Sequence, residues 1–156
     1  MSDLEIPWIV GFVDGEGCFF IGINARKQSK FGFTVLPEFV VVQHERDIQI
    51  LYALKAYWGF GTVCRNHGDR FCYKVRGLEP LLYTIVPFFE KHPLKTKKNV
   101  DFLKFRDGLL LIEKTEHLTI DGLLKLDKIR LEMNRGLSIP RQQLFLVDGE
   151  LVMKKI

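Results

Sequence analysis

Apolar residues alternate with polar or small residues in the first third of the chain, and this two-residue period predicts β-strands. Over residues 18–27, Phe19, Ile21 and Ile23 fall on one face of such a strand. A second strand is predicted over about 33–43, where consecutive valines favour an extended backbone. The two segments therefore predict an antiparallel pair with one face directed at a core.

A second hairpin is predicted around the turn sequence His67-Gly68-Asp69, between strands over 60–66 and 70–76. Antiparallel pairing about Gly68 puts Cys64 opposite Cys72. The residues expected to face a core are Val63, Phe71, Tyr73 and Val75. The residues expected to share the opposite, polar face are Asn66, Arg70, Lys74 and Arg76.

Helical spacing of apolar positions predicts helices over about 7–14, 46–58, 79–90, 96–114 and 119–134. Pro87 is expected to kink the third helix or end it early. Thr96 is expected to cap the fourth helix and Gly136 to close the last. The chain is thus divided into one domain over 1–136 and an extension over 137–156. For the extension, a small hairpin turn, an expression remnant and a flexible end all remain open.

The order of elements is helix, two strands, helix, two strands and then helices. This order predicts an α+β fold in which helices cover one face of a four-stranded antiparallel sheet. The other face of the sheet is expected to be polar, basic and uncovered.

The chain carries a formal net charge of +4, which permits a polyanionic partner without requiring one. Between Lys91 and Arg106, six Lys or Arg residues stand against one acid, Asp101. Such a run is typical of a solvated helix face or of a phosphate-binding stripe, with neither favoured. Because no secretory signal or bilayer-length apolar run is visible, an intracellular protein without membrane association is expected.

Three cysteines without a Cys-x-x-Cys pair, and four scattered histidines, do not favour a disulfide framework or a thiolate zinc site. A metal ion bound here would therefore take oxygen ligands, which points to a hard ion such as Mg²⁺.

The segment from Ile9 to Gly17 carries the strongest chemical signal. Gly11 and Gly15 are four residues apart, so they lie on one helix face and permit close approach of a second helix. A helix ending in a glycine turn would by itself explain that spacing. However, Asp14 and Glu16 lie at the helix C-terminus, where the helix dipole disfavours a negative charge by about 0.3–1 kcal/mol per group. A positive group is therefore expected to bind there.

The nine residues Ile9-Val10-Gly11-Phe12-Val13-Asp14-Gly15-Glu16-Gly17 resemble the motif of the LAGLIDADG homing endonucleases, with Glu in place of the second motif Asp. The likeness covers about residues 6–135, where the order of elements matches the αββαββα core of that family. The resemblance implies that Glu16 binds the metal ion and that the backbone carbonyl of Gly15 lies beside it. It also implies a helix-to-helix interface formed by Trp8, Gly11, Phe12 and Gly15.

Two further positions resemble catalytic residues of the family. Gln43 corresponds to a polar residue that positions water, and Lys95 corresponds to a lysine that supports charge at the scissile phosphate. Some relatives carry an arginine shortly after the glutamine, whereas this sequence has Asp47 there, preceded by Arg46. The contacts around Gln43 are therefore left open.

The resemblance implies a Mg²⁺-dependent endonuclease that cleaves a long pseudo-palindromic site in double-stranded DNA. Because the chain has one motif and thus one metal-binding acid, we expect a homodimer in which two Glu16 side chains meet on a two-fold axis. Strand parity and the resemblance together suggest DNA contacts through the outer sheet face and the basic segment. The candidates are Asn24, Arg26, Gln28, Thr34, Glu38, Asn66, Arg70, Lys74, Arg76, Lys97 and Lys98.

Other functions are compatible with the same scaffold. An RNA-splicing maturase, with intron RNA as a partner, and a non-cleaving DNA-binding protein are the main alternatives, since fold alone does not separate them. The acid at position 16 favours cleavage. The resemblance also suggests a gene encoded in a chloroplast or mitochondrion, with archaeal and phage origins left open.

Overall fold

The computed structural model describes residues 3–135 and 141–156. The helices are α1 (Ile6–Glu16), α2 (Ile48–Trp58), α3 (Leu78–Pro80), α4 (Val86–Lys91), α5 (Lys98–Glu113) and α6 (Ile120–Leu131). The strands are β1 (Gly17–Ala25), β2 (Phe33–His44), β3 (Thr62–His67), β4 (Arg70–Arg76), β5 (Gln142–Val147) and β6 (Glu150–Lys155). Short 3-10 turns cover Glu45–Asp47 and Glu116–Leu118.

Strands β1 to β4 form one antiparallel sheet in the order β1-β2-β4-β3. The register places Cys64 opposite Cys72, as the turn at Gly68 predicts. The predicted α+β fold with a four-stranded antiparallel sheet is therefore confirmed.

An aromatic cluster fills the space between the sheet and the helices. The ring of Phe19 lies 5.2 Å from that of Phe39, 5.3 Å from that of Phe102 and 5.4 Å from that of Phe105, measured between centroids. All four side chains are fully buried. Because Phe19 and Phe39 are opposite each other on β1 and β2, the alternation in sequence directs both rings to the helix side.

Strand β1 is shorter than the sequence predicts, since it ends at Ala25 rather than at residue 27. The Arg26 N–H donates to the Gly32 carbonyl at 2.7 Å and closes a turn. Gly32 has a φ of +83°, a conformation that L side chains rarely adopt. Arg26 and Gln28 therefore belong to the β1–β2 loop and not to the strand.

Pro87 does not end its helix, so that part of the prediction was wrong. Helical structure continues from Leu78 to Lys91, with a π-helical turn over Leu81–Ile85 directly before the proline. In this turn the Val86 N–H donates to the Leu81 carbonyl, five residues back. The wider turn leaves space for the proline ring and tolerates the absence of a backbone N–H at Pro87. A regular α-helix would accommodate neither.

The C-terminal residues form a hairpin, which is the alternative that the structure shows for 141–156. Strands β5 and β6 pair antiparallel around Asp148 and Gly149, both with positive φ. Leu144 is buried with Ile23 and Leu123 in a second, smaller hydrophobic cluster. The hairpin is therefore packed on α6 and the end of β1. Gly136, predicted to close α6, lies outside the described residues.

A buried carboxylate fastens this hairpin to α6. Asp127 is 2% exposed, and it accepts hydrogen bonds from the Leu144 N–H at 2.9 Å and the Arg130 Nε at 3.0 Å. The Arg141 guanidinium in turn donates to the carbonyls of Leu131 and Met133 at the end of α6, at 2.9 and 2.8 Å. These bonds satisfy helix carbonyls that have no partner within the helix.

Across the two described stretches, no helix has the length and apolar character that crossing a membrane requires.

Candidate active site and nucleic-acid interface

Helix α1 presents one buried face and one open face. Ile9 and Val13 are fully buried against the sheet. On the opposite side Trp8 is 41% exposed, and its ring stacks on that of Phe12 at 4.8 Å between centroids. A large apolar surface is thus exposed on the helix that carries the motif.

The three glycines of the motif differ in what surrounds them. A Cβ atom added at Gly11 or Gly15 would meet no atom of the described residues within 4 Å. At Gly17 it would lie 2.7 Å from Val13 Cγ1 and 2.8 Å from the Val13 carbonyl oxygen. Contacts within one chain therefore explain Gly17, whereas the part of the chain that the structure describes gives no reason for glycine at positions 11 and 15.

Asp14 binds the start of α5. Its carboxylate accepts the Lys95 N–H at 2.7 Å, the Thr96 N–H at 3.1 Å and the Thr96 hydroxyl. Burial raises the pKa of Asp14, but the Thr96 and Lys95 hydrogen bonds and the nearby Lys98 charge outweigh it, so the pKa lies below its usual value. Asp14 is therefore a structural link between α1 and α5.

Glu16 ends α1 with an exposed carboxylate. Within residues 3–135 and 141–156, no other group forms a hydrogen bond or ion pair with this side chain. The Gly15 carbonyl is one of the last carbonyls of α1, which lack acceptor partners within the helix. Both groups are therefore available to an external ligand.

The positive group expected at the end of α1 is Lys98. Its Nζ donates to the Val13 carbonyl at 3.2 Å, one helical turn before Glu16. Lys95 is exposed and contacts Asp14 through its backbone N–H, and Lys97 is exposed at the residue before α5. The resemblance assigned the catalytic role to Lys95 and DNA contacts to Lys97 and Lys98. Which of the three side chains reaches α1 could not be read from their order along the loop.

Gln43 lies at the end of β2 beside the junction of α1 and β1. It is two residues beyond Val41, which pairs with Gly17. The side-chain oxygen of Gln43 accepts the His44 N–H at 2.8 Å, which leaves its amide nitrogen available as a donor. The position is therefore compatible with the predicted role of orienting a water molecule.

The residues that follow Gln43 bind the β3–β4 turn instead of the glutamine. His44 Nε2 lies 2.9 Å from the Asp69 carboxylate, and the Glu45 N–H donates to the Asp69 carbonyl at 2.8 Å. Arg46 and Asp47 lie 3.7 Å apart, with 78% and 46% of their side chains exposed. They form a surface pair with each other.

The outer sheet face is less polar than the sequence predicts. Arg70, Lys74 and Arg76 alternate with the core residues of β4 and so lie on the outer face, as predicted. The same face also carries apolar side chains, so the expectation of a polar and basic face holds for only part of it. These are Phe20, Leu36, Val40, Val42 and Cys72.

Several predicted DNA-binding residues pair with one another across strands. Arg76 Nε lies 2.7 Å from Glu38 Oε2, in a pair that joins β4 to β2. Asn24 is opposite Thr34 at the other end of β1 and β2. Asn66 lies at an irregularity in the β3–β4 register, between Arg65 and His67. The remaining candidates, Arg26 and Gln28, are exposed in the β1–β2 loop.

One chain provides few metal ligands. Within the described residues, no group of three or more His, Cys, Asp or Glu side chains is placed to hold a metal ion. The Glu16 carboxylate and the Gly15 carbonyl are oxygen ligands of the type that Mg²⁺ prefers. They fit a hard divalent cation as two of its ligands.

Comparisons with known proteins agree with this geometry. A family model described as LAGLIDADG endonuclease matches residues 9–109. The chain is 35% identical over 136 residues to probable intron-encoded endonuclease 3 of Neurospora crassa, covering 85% of this chain and 25% of that protein. It is 32% identical over 126 residues to probable intron-encoded endonuclease Cox1-I1b of Schizosaccharomyces pombe, covering 80% and 32%. The chain thus spans about a quarter to a third of these relatives' length.

Solved structures show the same fold. The homing endonuclease I-TnaI is 54% identical, with a TM-score of 0.83, and the match covers 87% of this chain and 92% of that one. The meganuclease I-SmaMI bound to uncleaveable DNA is 35% identical, with a TM-score of 0.84, covering 88% of this chain and 47% of that one.

Proposed function

The chain belongs to the LAGLIDADG endonuclease family, and on that premise we propose that two copies of it form a site-specific, Mg²⁺-dependent homing endonuclease. The substrate is a long pseudo-palindromic site in double-stranded DNA. One observation carries the proposal: the exposed Glu16 carboxylate stands at the end of a helix whose outer face is glycine-lined and open. Neither feature contributes to the fold of the single chain.

The homodimer follows from the surroundings of Gly11 and Gly15. Their missing side chains leave room that no atom of residues 3–135 or 141–156 fills, beside the exposed Trp8. A second α1 packed on this face would bury Trp8 and Phe12 and bring the two Glu16 residues close to a two-fold axis. The 54% identity to the homing endonuclease I-TnaI, over 92% of that chain, supports a nuclease function for this domain.

Within that dimer, each active site combines groups from three elements of the chain. Glu16 and the Gly15 carbonyl would hold Mg²⁺, which when bound would supply charge neutralisation at the scissile phosphate and activation of the attacking water. Gln43 orients a water through its free amide nitrogen. The ammonium of Lys98, positioned at the end of α1, supports the negative charge of the phosphate more directly than the exposed Lys95.

The outer face of the sheet is the surface that reads the DNA. In the major groove all four base pairs are distinguishable, and Arg and Lys favour guanine edges. Lys74 and Arg70 are the best placed for this role, because neither is engaged in an ion pair within the described residues. The Nε of Arg76 is paired with the Glu38 carboxylate. We propose that this ion pair holds the two side chains in place, and that Arg76 contacts bases only through its other guanidinium N–H groups.

Cleavage by a Glu16→Gln variant tests the enzyme. A cognate site is first selected from a randomised DNA library, and cleavage is then measured with Mg²⁺ and with Ca²⁺. We expect wild type to cut with Mg²⁺ and the variant to lose at least about a thousand-fold in rate, because several kcal/mol of charge stabilisation disappear. Asp121→Asn, an exposed acid in the first turn of α6, is the matched control and should cut normally.

Three results would contradict the proposal. If Glu16→Gln cuts at the wild-type rate, Glu16 is not the metal-binding residue. If sedimentation shows a monomer both free and on the cognate site, the homodimer is wrong. Binding without cleavage by the wild-type protein would favour a non-cleaving DNA-binding protein.

A further inference from the structure

Two cysteines face each other across the outer sheet face. Cys64 in β3 is directly opposite Cys72 in β4, and their Sγ atoms are 3.5 Å apart. Cys72 lies on the same face as Lys74 and Arg70, since the core residues of β4 occupy the alternate positions. The pair therefore lies within the surface that we propose to read the DNA.

The backbone geometry permits a disulfide at this position. Directly opposed residues of an antiparallel pair have Cα atoms about 4.5–5.5 Å apart, inside the range of about 4.4–6.8 Å seen in disulfides. The sulfur atoms need to approach from 3.5 Å to about 2.05 Å, which side-chain rotation and a small strand adjustment can provide.

We propose that Cys64 and Cys72 are a reversible thiol–disulfide site, whose oxidation by a small-molecule disulfide such as oxidised glutathione weakens DNA binding. The thiol chemistry stands on the strand register and the sulfur distance alone. The effect on DNA rests on the proposed function, because it requires that the outer face contact the duplex.

The reaction proceeds by two exchanges. Cys64 is exposed whereas Cys72 is buried, so oxidised glutathione reaches Cys64 first. The Cys64 thiolate attacks one sulfur of oxidised glutathione, forms a mixed disulfide and releases one glutathione thiolate. Cys72 then attacks the Cys64 sulfur and releases the second glutathione. The protein loses two protons and two electrons, and these reduce one oxidised glutathione to two thiols.

The second exchange should be the slower one. Burial, together with the hydrogen bond to Cys64, raises the pKa of the Cys72 thiol to about 11. Little Cys72 thiolate is therefore present at neutral pH, and the mixed disulfide at Cys64 should accumulate before the ring closes.

Cys18 serves as an internal reference for the other two thiols. It is half-buried in β1, and β2 lies between β1 and β4. Burial raises the pKa of its thiol as well. Because no other cysteine is opposite it, Cys18 should remain a free thiol under the same treatment.

The first experiment requires no DNA. The reduced full-length chain is incubated with oxidised glutathione, alkylated and analysed by mass spectrometry under non-reducing conditions. We expect two thiols per chain to be lost, a peptide cross-link between Cys64 and Cys72, and complete reversal by dithiothreitol. Cys64→Ser should give no cross-link, Cys72→Ser should stop at the glutathione adduct on Cys64, and Cys18→Ser should behave as wild type.

Three outcomes overturn the thiol site: all three cysteines remain free, the cross-link includes Cys18, or the only disulfide joins two chains. Each is visible in the same digest. Cys64 is exposed, so its serine variant should fold and provides a control that does not depend on a core substitution.

The second experiment measures binding to the selected site in Ca²⁺, with reduced and oxidised protein. We expect oxidation to weaken binding about three- to ten-fold, because displacements well below 1 Å matter at such a surface. The effect should disappear in Cys64→Ser and on reduction. Equal or tighter binding by the oxidised protein overturns the coupling. If the disulfide forms but neither protein binds DNA, the proposed function fails while the thiol site stands.

Discussion

The two sides of the last turn of α1 have opposite surroundings. On the inner side, Asp14 accepts three hydrogen bonds from Lys95 and Thr96, and Gly17 fits against Val13 with no space for a methyl group. On the outer side, Glu16 is exposed, and Gly11 faces open space.

This difference distinguishes the residues that stabilise the fold of the single chain from the residues that are available to a binding partner. The inner groups are explained by contacts within one molecule, so their loss should reduce the free energy of unfolding. The outer groups have no such contacts in the described residues, so their loss should affect association or catalysis without lowering the free energy of unfolding. Substitutions on the two sides should therefore give different combinations of effects.

The largest effect is expected from Gly11→Ala. Overpacking costs about 1–3 kcal/mol, and a two-fold interface contains the substitution twice, so the proposed dimer should lose about 2–6 kcal/mol. The single chain should instead gain about 0.5–1 kcal/mol, because alanine favours the helix. Sedimentation equilibrium measures the first quantity and urea unfolding at low protein concentration the second. An unchanged dimer would place the interface elsewhere.

Gly17→Ala should give the reverse result. The added methyl group would lie 2.7 Å from Val13 Cγ1, so the chain should lose about 1–3 kcal/mol of unfolding free energy. Because α1 and β1 meet at this residue, the loss should be visible in urea unfolding of the monomer. Gly11→Ala is the matched control, and equal stability of the two variants would contradict the comparison.

Asp14→Asn should lower stability by about 1–2 kcal/mol at pH 7, because hydrogen bonds to a charged acceptor are replaced by weaker ones. The folded-state pKa of Asp14 is lowered, so its contribution is present above the ordinary carboxyl pKa of about 4 and is lost as pH falls through the folded value. The difference between the two proteins should therefore shrink below pH 4. A difference that grows in acid would exclude this origin.

The smallest effect is expected from Lys98→Met. Its ammonium lies at the C-terminal end of the α1 dipole, so its removal should reduce stability by about 0.3–1 kcal/mol and raise the pKa of Asp14. Lys95→Met is the control, because the hydrogen bond between Lys95 and Asp14 is donated by the backbone N–H and not by the side chain. Thermal unfolding at low salt measures the stability of both variants. An equal loss of stability in both would contradict the contact between Lys98 and the Val13 carbonyl.

The sequence predicts most of the fold because its signals are local. The hairpin at Gly68 sets the β3–β4 register, and the alternation around Phe19 identifies the buried face of β1. The prediction for Pro87 also rested on a local rule, that a proline kinks or ends a helix. In the structure the helix continues, because a π-helical turn at Leu81–Ile85 accommodates the proline ring.

The candidate site was less predictable because it depends on contacts between distant segments. The motif identifies Glu16, but no pattern in the sequence shows that Asp14 caps the loop before α5 or that Lys98 reaches Val13. The pairing of Glu38 with Arg76 required the order of β2 and β4, which the connectivity left undetermined. These relations are properties of the assembled sheet and helices.

The anchoring of the C-terminal hairpin has a practical consequence for protein engineering. Two copies could be joined into one polypeptide, so that each half is altered separately and asymmetric targets become accessible. Ending the first copy after α6 would remove the Leu144 N–H and leave the buried Asp127 carboxylate without that hydrogen-bond donor. The tether should therefore begin after Ile156, which is 66% exposed and leaves the hairpin intact.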